Sequence, residues 1–168
     1  FCGYTDKEFA GPVAGNSDGF LCRFNPDGST SWVRQIGDSG GWEEITSVAV
    51  DELGNAYVTG YTDGNVGGDN AGRDDVFVVA FDVAGGEMWR SQLGTPKGEQ
   101  SHAIAIDDWG NIVVIGSTYG QLDTSVEAKD YDAFVIKYEN LLSSDQPDPE
   151  PVSSMATASE AAPAYVVA

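Results

Sequence analysis

The fold of this chain is decided by the stretch VAVDELGNAYVTGYT at residues 48–62, because it returns as IAIDDWGNIVVIGST at residues 104–118. A second phrase, at residues 75–81, repeats the pattern of residues 18–24 and recurs at residues 132–138. The period is about 56 or 57 residues. A period in this range indicates a supersecondary unit that must stack on copies of itself to bury its faces. The sequence therefore predicts a repeat protein.

Each repeat unit predicts four short strands separated by turns. In the middle unit, the alternating apolar runs are residues 45–51, 56–62, 76–81 and 88–93. The segments between them are rich in Gly, Asp and Asn, which are turn formers. Four short antiparallel strands in each unit are typical of one blade of a β-propeller. We therefore predict an all-β fold made of four-stranded antiparallel blades.

The unit boundaries predict about three blades and a tail. Residues 1–37 form a partial blade without its inner strand, because Phe1-Cys2-Gly3 falls where Val58-Thr59-Gly60 falls. A full blade covers 38–94, a partial blade covers 95–142, and an extended acidic, Pro- and Ala-rich tail covers 143–168. A closed propeller has at least about four blades. We therefore expect an incomplete ring, completed by the rest of a longer propeller chain or by protein partners.

The recurring phrases resemble the SBBP repeat, the seven-bladed β-propeller repeat family. The resemblance rests on Trp89, on Gln92-Leu93-Gly94, on residues 104–111, and on residues 58–62 followed by 75–77. It covers residues 1 to about 142 and implies a propeller fold. It also implies an exported or lumenal protein, at the cell surface, outside the cell, in a periplasm or in an organelle lumen. The family shares no catalytic residues, so the resemblance implies no enzyme activity and no cofactor.

The composition excludes several classes of partner. The 168 residues carry a formal net charge of −19, with 8 Lys and Arg against 27 Asp and Glu. Binding to nucleic acid phosphates or to anionic membranes requires clustered basic residues, so neither is expected. No run approaches the roughly 18 to 20 apolar residues of a membrane span. An acidic surface favours solubility, cations and basic partners.

The Asp-rich loop of the middle unit is the candidate metal site. Asp63, Asn65 and Asp69 crowd this loop, and calcium accepts oxygen ligands on flexible loops. The alternative is that these side chains hydrogen-bond their own backbone as turn formers. The same interpretation applies to Asp18, Asp75 and Asp132, which are each expected to brace the start of a strand.

The two cysteines raise the possibility of a disulfide. If residues on the first two strands pair so that their numbers sum to about 24, Cys2 and Cys22 face each other. A bond between them would indicate an oxidising compartment. Two buried free thiols are the alternative.

Two further features bear on interactions and catalysis. Tyr165, Val166 and Val167 form an apolar end to the tail that is able to add as a strand to an open sheet edge. The string Gly37-Asp38-Ser39-Gly40-Gly41 resembles the surroundings of a serine nucleophile, but His102 follows the serine and no strand-to-helix context exists. We expect no catalytic residue.

These observations leave two classes of function open. The favoured one is a non-enzymatic structural or interaction module that packs on protein partners in a larger assembly. The other is a propeller module that binds calcium or a carbohydrate through the Asp- and Gly-rich loops and through exposed aromatic side chains such as Trp42, Trp109 and Tyr119.

Overall fold

The computed structural model describes residues 1–122 and 131–139, and these residues form three antiparallel sheets. The predicted all-β propeller-blade fold is confirmed, and the three sheets are not closed into a ring. Within the described ranges, there is no helix of the length and apolarity needed to cross a membrane. The predicted tail at residues 143–168 lies outside the described residues.

The strands follow the repeat closely. Blade 1 contains β1 (Cys2–Thr5), β2 (Asp18–Phe24) and β3 (Thr30–Ile36). Blade 2 contains β4 (Glu43–Val50), β5 (Ala56–Thr62), β6 (Asp75–Phe81) and β7 (Glu87–Leu93), paired in that order. Blade 3 contains β8 (Glu99–Ile106), β9 (Ile112–Thr118) and β10 (Asp132–Tyr138). The inner strands are β4 and β8, and β1 corresponds to β5 and β9.

The turn between an inner strand and the next strand explains the recurring Asp-x-x-Gly-Asn pattern. Asp51 Oδ1 accepts hydrogen bonds from the backbone N–H groups of Leu53 and Asn55, and Asp107 does the same in blade 3. Gly54 has a φ of +86°, in the left-handed region that glycine adopts without strain. The pattern is therefore a turn signature.

The core consists of two apolar layers between blades. Strand β6 is fully buried because its alternate side chains enter different layers. Phe77, Val79 and Phe81 pack towards blade 1, whereas Val76 and Val78 pack towards blade 3. Each face of blade 2 is thus covered by a neighbouring blade, and this arrangement fixes which faces remain open at the two ends.

At the outer side of the junction between blades 1 and 2, side chains of blade 1 donate hydrogen bonds to a turn of blade 2. Arg23 Nη1 and Trp32 Nε1 both donate to the carbonyl oxygen of Val83, at 3.1 Å each, and Arg34 Nε donates to that of Gly85 at 2.6 Å. These carbonyls belong to the β6–β7 turn of blade 2. The turn is therefore held by side chains of the preceding blade.

The junction of blades 2 and 3 repeats an aromatic contact of the first junction, in which the Trp32 and Phe81 rings lie 6.2 Å apart between centroids. The Trp89 ring lies 5.7 Å from the Tyr138 ring and 6.3 Å from that of Tyr57, measured between centroids. Near the inner strands, the hydroxyl oxygens of Thr46 and Ser101 lie 3.2 Å apart. The two junctions thus share apolar layers and a tryptophan–aromatic contact. They differ in their polar contacts, because Ala80 and Ser91 of blade 2 stand where Arg23 and Arg34 stand in blade 1.

Candidate interaction surface

The edge strand β1 differs from its counterparts in the other blades. Strands β5 and β9 each pair with an inner strand on one side and with the next strand on the other. Within the described part of the chain, β1 pairs with β2 alone. Because Phe1 and Cys22 exchange both backbone hydrogen bonds and such pairs alternate, the backbone groups of Cys2 and Tyr4 point to the free edge. Strand β1 therefore presents unpaired backbone groups.

A glycine stands at the same place in β1, β5 and β9, and each lies against a phenylalanine ring of the neighbouring strand. An added Cβ at Gly60 would fall on the carbonyl oxygen of Glu44, and one at Gly116 on that of Gln100. Both carbonyls lie beside a β-bulge of the inner strand. At Gly3, an added Cβ would meet only the Phe20 ring, at 3.2 Å. In the described residues, the approach to a carbonyl oxygen is thus present at Gly60 and Gly116, and the tight contact at Gly3 is the Phe20 ring.

A buried glutamate pairs with a threonine in blades 2 and 3. Thr62 Oγ1 donates to Glu43 Oε1 at 2.7 Å, and Thr118 Oγ1 donates to Glu99 Oε1 at the same distance. Both carboxyl groups are fully buried at the start of an inner strand. Burial is the main cause that raises the pKa of Glu43 from 4.5 to about 7.

Thr5 is the blade 1 counterpart of these threonines. Its Oγ1 accepts from the Lys7 N–H at 3.1 Å, as Thr62 and Thr118 accept from Gly64 and Gly120. The hydroxyl of Thr5 donates to the Lys7 carbonyl oxygen, whereas the other two also donate to a glutamate. Thr5 thus keeps the turn contacts of its counterparts, and within the described residues its hydroxyl bonds to backbone groups and not to a glutamate.

A largely apolar groove adjoins the start of β1. It has a volume of about 390 Å³ and is lined by residues of blades 1 and 2. Phe1, Leu21 and Phe24 of blade 1 line one side, and Val48 and Val50 of the inner strand β4 line the other. The groove would suit small apolar side chains.

A second repeated network holds the long loops of blades 1 and 2. Gln92 Oε1 accepts from the N–H groups of Val66 and Gly67, at 2.8 and 3.0 Å, and its Nε2 donates to Asp75 at 2.9 Å. Gln35 makes the corresponding contacts to the first loop and to Asp18. The recurring Asp and Gln residues therefore clamp a loop against a strand.

The comparison with family models agrees with this repeated architecture. The model of the SBBP β-propeller repeat matches residues 31–68, which contain β3, β4 and β5. Residues 31–68 carry an SBBP β-propeller repeat. The expected resemblance is thereby confirmed. The comparison with curated proteins gives no match.

The predicted calcium ligands lie in the loop between β5 and β6, where Asp63 and Asn65 accept hydrogen bonds from backbone N–H groups. Asp63 Oδ1 accepts from the Trp42 N–H at 2.6 Å, and Asn65 Oδ1 accepts from the Asn70 N–H at 2.8 Å. Over residues 1–122 and 131–139, no three Asp, Glu, His or Cys side chains are grouped closely enough to hold a metal ion, and this includes the surroundings of Asp69. Calcium binding by Asp63, Asn65 and Asp69 stays a prediction.

The register on which the disulfide prediction depended is wrong. Cys2 lies opposite Leu21, so paired residue numbers sum to 23 and not 24. A shift of one residue turns a side chain to the other face of a sheet. Cys2 packs on the layer towards blade 2, and Cys22 lies on the opposite face with Phe20 and Phe24. Both cysteines are free thiols.

The remaining predicted residues are scattered. Tyr165, Val166 and Val167 lie outside the described residues. Ser39 is exposed in the loop before β4, and the described contacts of His102 contain one side-chain hydrogen bond, to Ser117 at 3.0 Å. The structure therefore places Ser39 and His102 in separate surroundings.

Some exposed aromatic side chains do converge on a shallow cavity. Tyr4, Trp42 and Tyr61 line a space of about 310 Å³ together with the acids Glu44, Asp63 and Asp74. Tyr61 donates a hydrogen bond of 2.6 Å to Glu44, and burial is the main cause that raises the pKa of this tyrosine. The cavity is polar and aromatic, and it opens to solvent.

Proposed function

We propose that the chain is a non-enzymatic structural and interaction module, a set of propeller blades that packs on protein partners in a larger assembly. The observation that carries this proposal is the exposure of both end faces of the blade stack. On blade 1, Phe24 is 53% exposed, whereas its counterpart Phe81 on blade 2 is 2% exposed, because blade 1 covers it. The outer face of blade 1 is built like a face that another blade covers.

The other end of the stack has the same property. Ile115 of blade 3 is 47% exposed, whereas its counterpart Thr59 in blade 2 is fully buried against the next blade. Apolar faces of this kind are typical of protein interaction sites. The partner is a β-sheet face with apolar side chains, supplied by the rest of a longer propeller chain or by another protein.

The mass of natively purified material tests this proposal. Native mass spectrometry should give a mass well above the 17.7 kDa of this chain, and a denaturing measurement separates one long chain from several subunits. Phe24→Asp should weaken the association, because it places a charge in the covered face. Trp109→Asp, at an exposed turn residue, is the matched control. A species of about 17.7 kDa under native conditions would refute the proposal.

The aromatic and acidic cavity supports ligand binding as a second candidate. Aromatic rings beside carboxylates suit a sugar or an organic cation, by stacking and by charge. Titration calorimetry with oligosaccharides and with calcium, on the chain and on Trp42→Ala, tests this function. Heats that are unchanged by Trp42→Ala would exclude the cavity.

A further inference from the structure

We propose that the groove between the inner turns of blades 2 and 3 binds a basic segment of a protein partner, in which an apolar side chain is flanked by lysine or arginine. The inner turns, residues 51–55 and 107–111, join β4 to β5 and β8 to β9. The groove has a volume of about 460 Å³ and is lined by these turns and by Val50 and Ile106 at the ends of β4 and β8. All of its described lining residues belong to blades 2 and 3, whose inner strands are both present.

The tips of the inner turns carry apolar side chains that the turns do not require. Asp51 and Asp107 accept the backbone hydrogen bonds that hold the turns, and the glycine that follows has a φ of +86° in one turn and +81° in the other. Leu53 and Trp109 supply only backbone N–H groups to these bonds. Their side chains are 65% and 76% exposed, at the same place in two blades. The chemistry of the turn therefore leaves these two apolar side chains unexplained.

Acidic side chains surround the apolar ones. Glu52 and Asp108 stand beside them at the turn tips, are exposed, and take no part in the hydrogen bonds that hold the turns. The described lining of the groove includes two further acids, Asp51 and Asp107, and no lysine or arginine. Lys137 Nζ lies 3.4 Å from Asp107 Oδ2 and offsets one of these charges. The groove therefore keeps a negative charge, which attracts a positively charged occupant.

Charge also decides between the alternative occupants. A second copy of the chain carries the same net charge of −19, and residues 143–168 contain Asp and Glu but no Lys or Arg. Like charges that face each other across an interface disfavour the binding of both. A segment of another protein that combines apolar and basic side chains matches the groove in both properties.

The two kinds of side chain in the segment make different contacts. An apolar side chain between Leu53 and Trp109 removes exposed apolar surface from water. A lysine or arginine on either side of it faces Glu52 or Asp108, and an arginine also stacks on the indole ring of Trp109. The apolar contacts then give affinity, and the pairing of charges gives specificity and fast association.

The labelled peptide KLRLK is the probe, and its binding to the 168-residue chain is measured by fluorescence anisotropy at about 0.15 M salt. It should bind saturably. KSRSK, which keeps the charges without the apolar side chains, and QLQLQ, which does the reverse, should each bind at least about tenfold more weakly. Leu53→Ala and Trp109→Ala should each weaken the binding of KLRLK at least about tenfold. Met88→Ala, at another exposed apolar residue, is the matched control and should bind as the parent does.

A pair of double variants tests the charges. Glu52→Gln with Asp108→Asn should weaken the binding of KLRLK at least about tenfold, because two carboxylates of the groove are lost. Glu8→Gln with Asp27→Asn removes the same charge from exposed positions outside the groove and should change binding by less than about twofold, because salt screens distant charges. All variants should keep the circular dichroism spectrum of the parent, because the replaced side chains are exposed.

The groove and the end faces of the stack can fail independently, because Phe24 and Ile115 are not among the groove's lining residues. Absence of saturable binding, or equal binding by Trp109→Ala and the parent, would overturn the groove even where native masses still show a larger assembly. Loss of binding by Trp42→Ala instead would assign the peptide to the aromatic and acidic cavity and would also overturn the groove. A dimer of the chain that Trp109→Ala dissociates would assign the groove to a second copy and overturn the proposed partner. The expected peptide binding together with a native mass of about 17.7 kDa would support the groove and refute the proposed function.

Discussion

Replacing Glu43 by Gln should change how the stability of this protein depends on pH. The carboxyl group is fully buried, accepts hydrogen bonds from Thr62 Oγ1 and from the Asp38 N–H, and lies near the carboxylates of Asp18 and Asp63. Burial is the largest cause that raises its pKa, and the two carboxylates add to the effect. Glutamine keeps the acceptor oxygen for Thr62 and removes the titration.

The sign and size follow from the two pKa values. The unfolded chain releases the Glu43 proton near pH 4.5 and the folded chain near pH 7, so the folded state binds more protons between them. The stabilising contribution is complete below pH 4.5 and is lost as the pH rises to about 7. At about 1.4 kcal/mol for each pH unit, the loss is about 3 kcal/mol.

Urea unfolding at pH 4.5 and at pH 8, followed by tryptophan fluorescence, measures this effect. Between the two pH values, the free energy of unfolding of Glu43→Gln should rise by about 3 kcal/mol relative to the parent. Glu52→Gln, at an exposed turn residue, is the control for a change of net charge. A difference between Glu43→Gln and the parent that stays constant within about 1 kcal/mol would refute the assignment of the raised pKa.

Three other predictions concern the repeated contacts. Gln92→Ala removes the hydrogen bonds to Val66, Gly67 and Asp75 and should lower the free energy of unfolding by about 3 kcal/mol in urea titrations; a loss below about 1 kcal/mol would contradict the clamp. Gly60→Ala should lower the thermal midpoint much more than Gly3→Ala, because an added Cβ at Gly60 falls on a carbonyl oxygen and one at Gly3 meets only the Phe20 ring; equal midpoints would count against that reason. Iodoacetamide, used without reductant, should react slowly with Cys2 and Cys22 in the folded protein, because burial raises the pKa of both thiols, and should label both in denaturant. If neither cysteine were labelled in denaturant, the two would form a disulfide.

Much of the blade could be predicted because it is local. The alternation of residues 56–62 and the turn at residues 51–55 act through near neighbours in the chain, and the observed strands lie within two residues of the predicted runs. The cysteine register failed because the prediction took the loop as residues 6–18, whereas Asp18 is already the first residue of β2 and pairs with Thr5. One residue of difference there reversed the face of Cys22 relative to Cys2.

The site residues were harder to predict because their partners come from different strands. Glu43 and Glu99 look like solvated acids in the sequence, yet each is buried against a threonine 19 residues later. That shared spacing is the signal that would have found them. The absence of an inner strand from the first blade was predicted from the repeat alignment. How the contacts of Gly3 and Thr5 differ from those of Gly60 and Thr62 could be seen only in the structure.

The contrast between the two blade junctions bears on how such an array can be rearranged. The loop clamps and the Glu–Thr pairs lie within single blades, so a duplicated blade carries them with it. The contacts of Arg23 and Arg34 to the β6–β7 turn join one particular pair of blades, because Ala80 and Ser91 stand at the corresponding places in blade 2. Exchanging the order of two blades would preserve every individual sheet and still lose the matching between them. The linear order of the repeats is therefore itself part of the information that the sequence encodes.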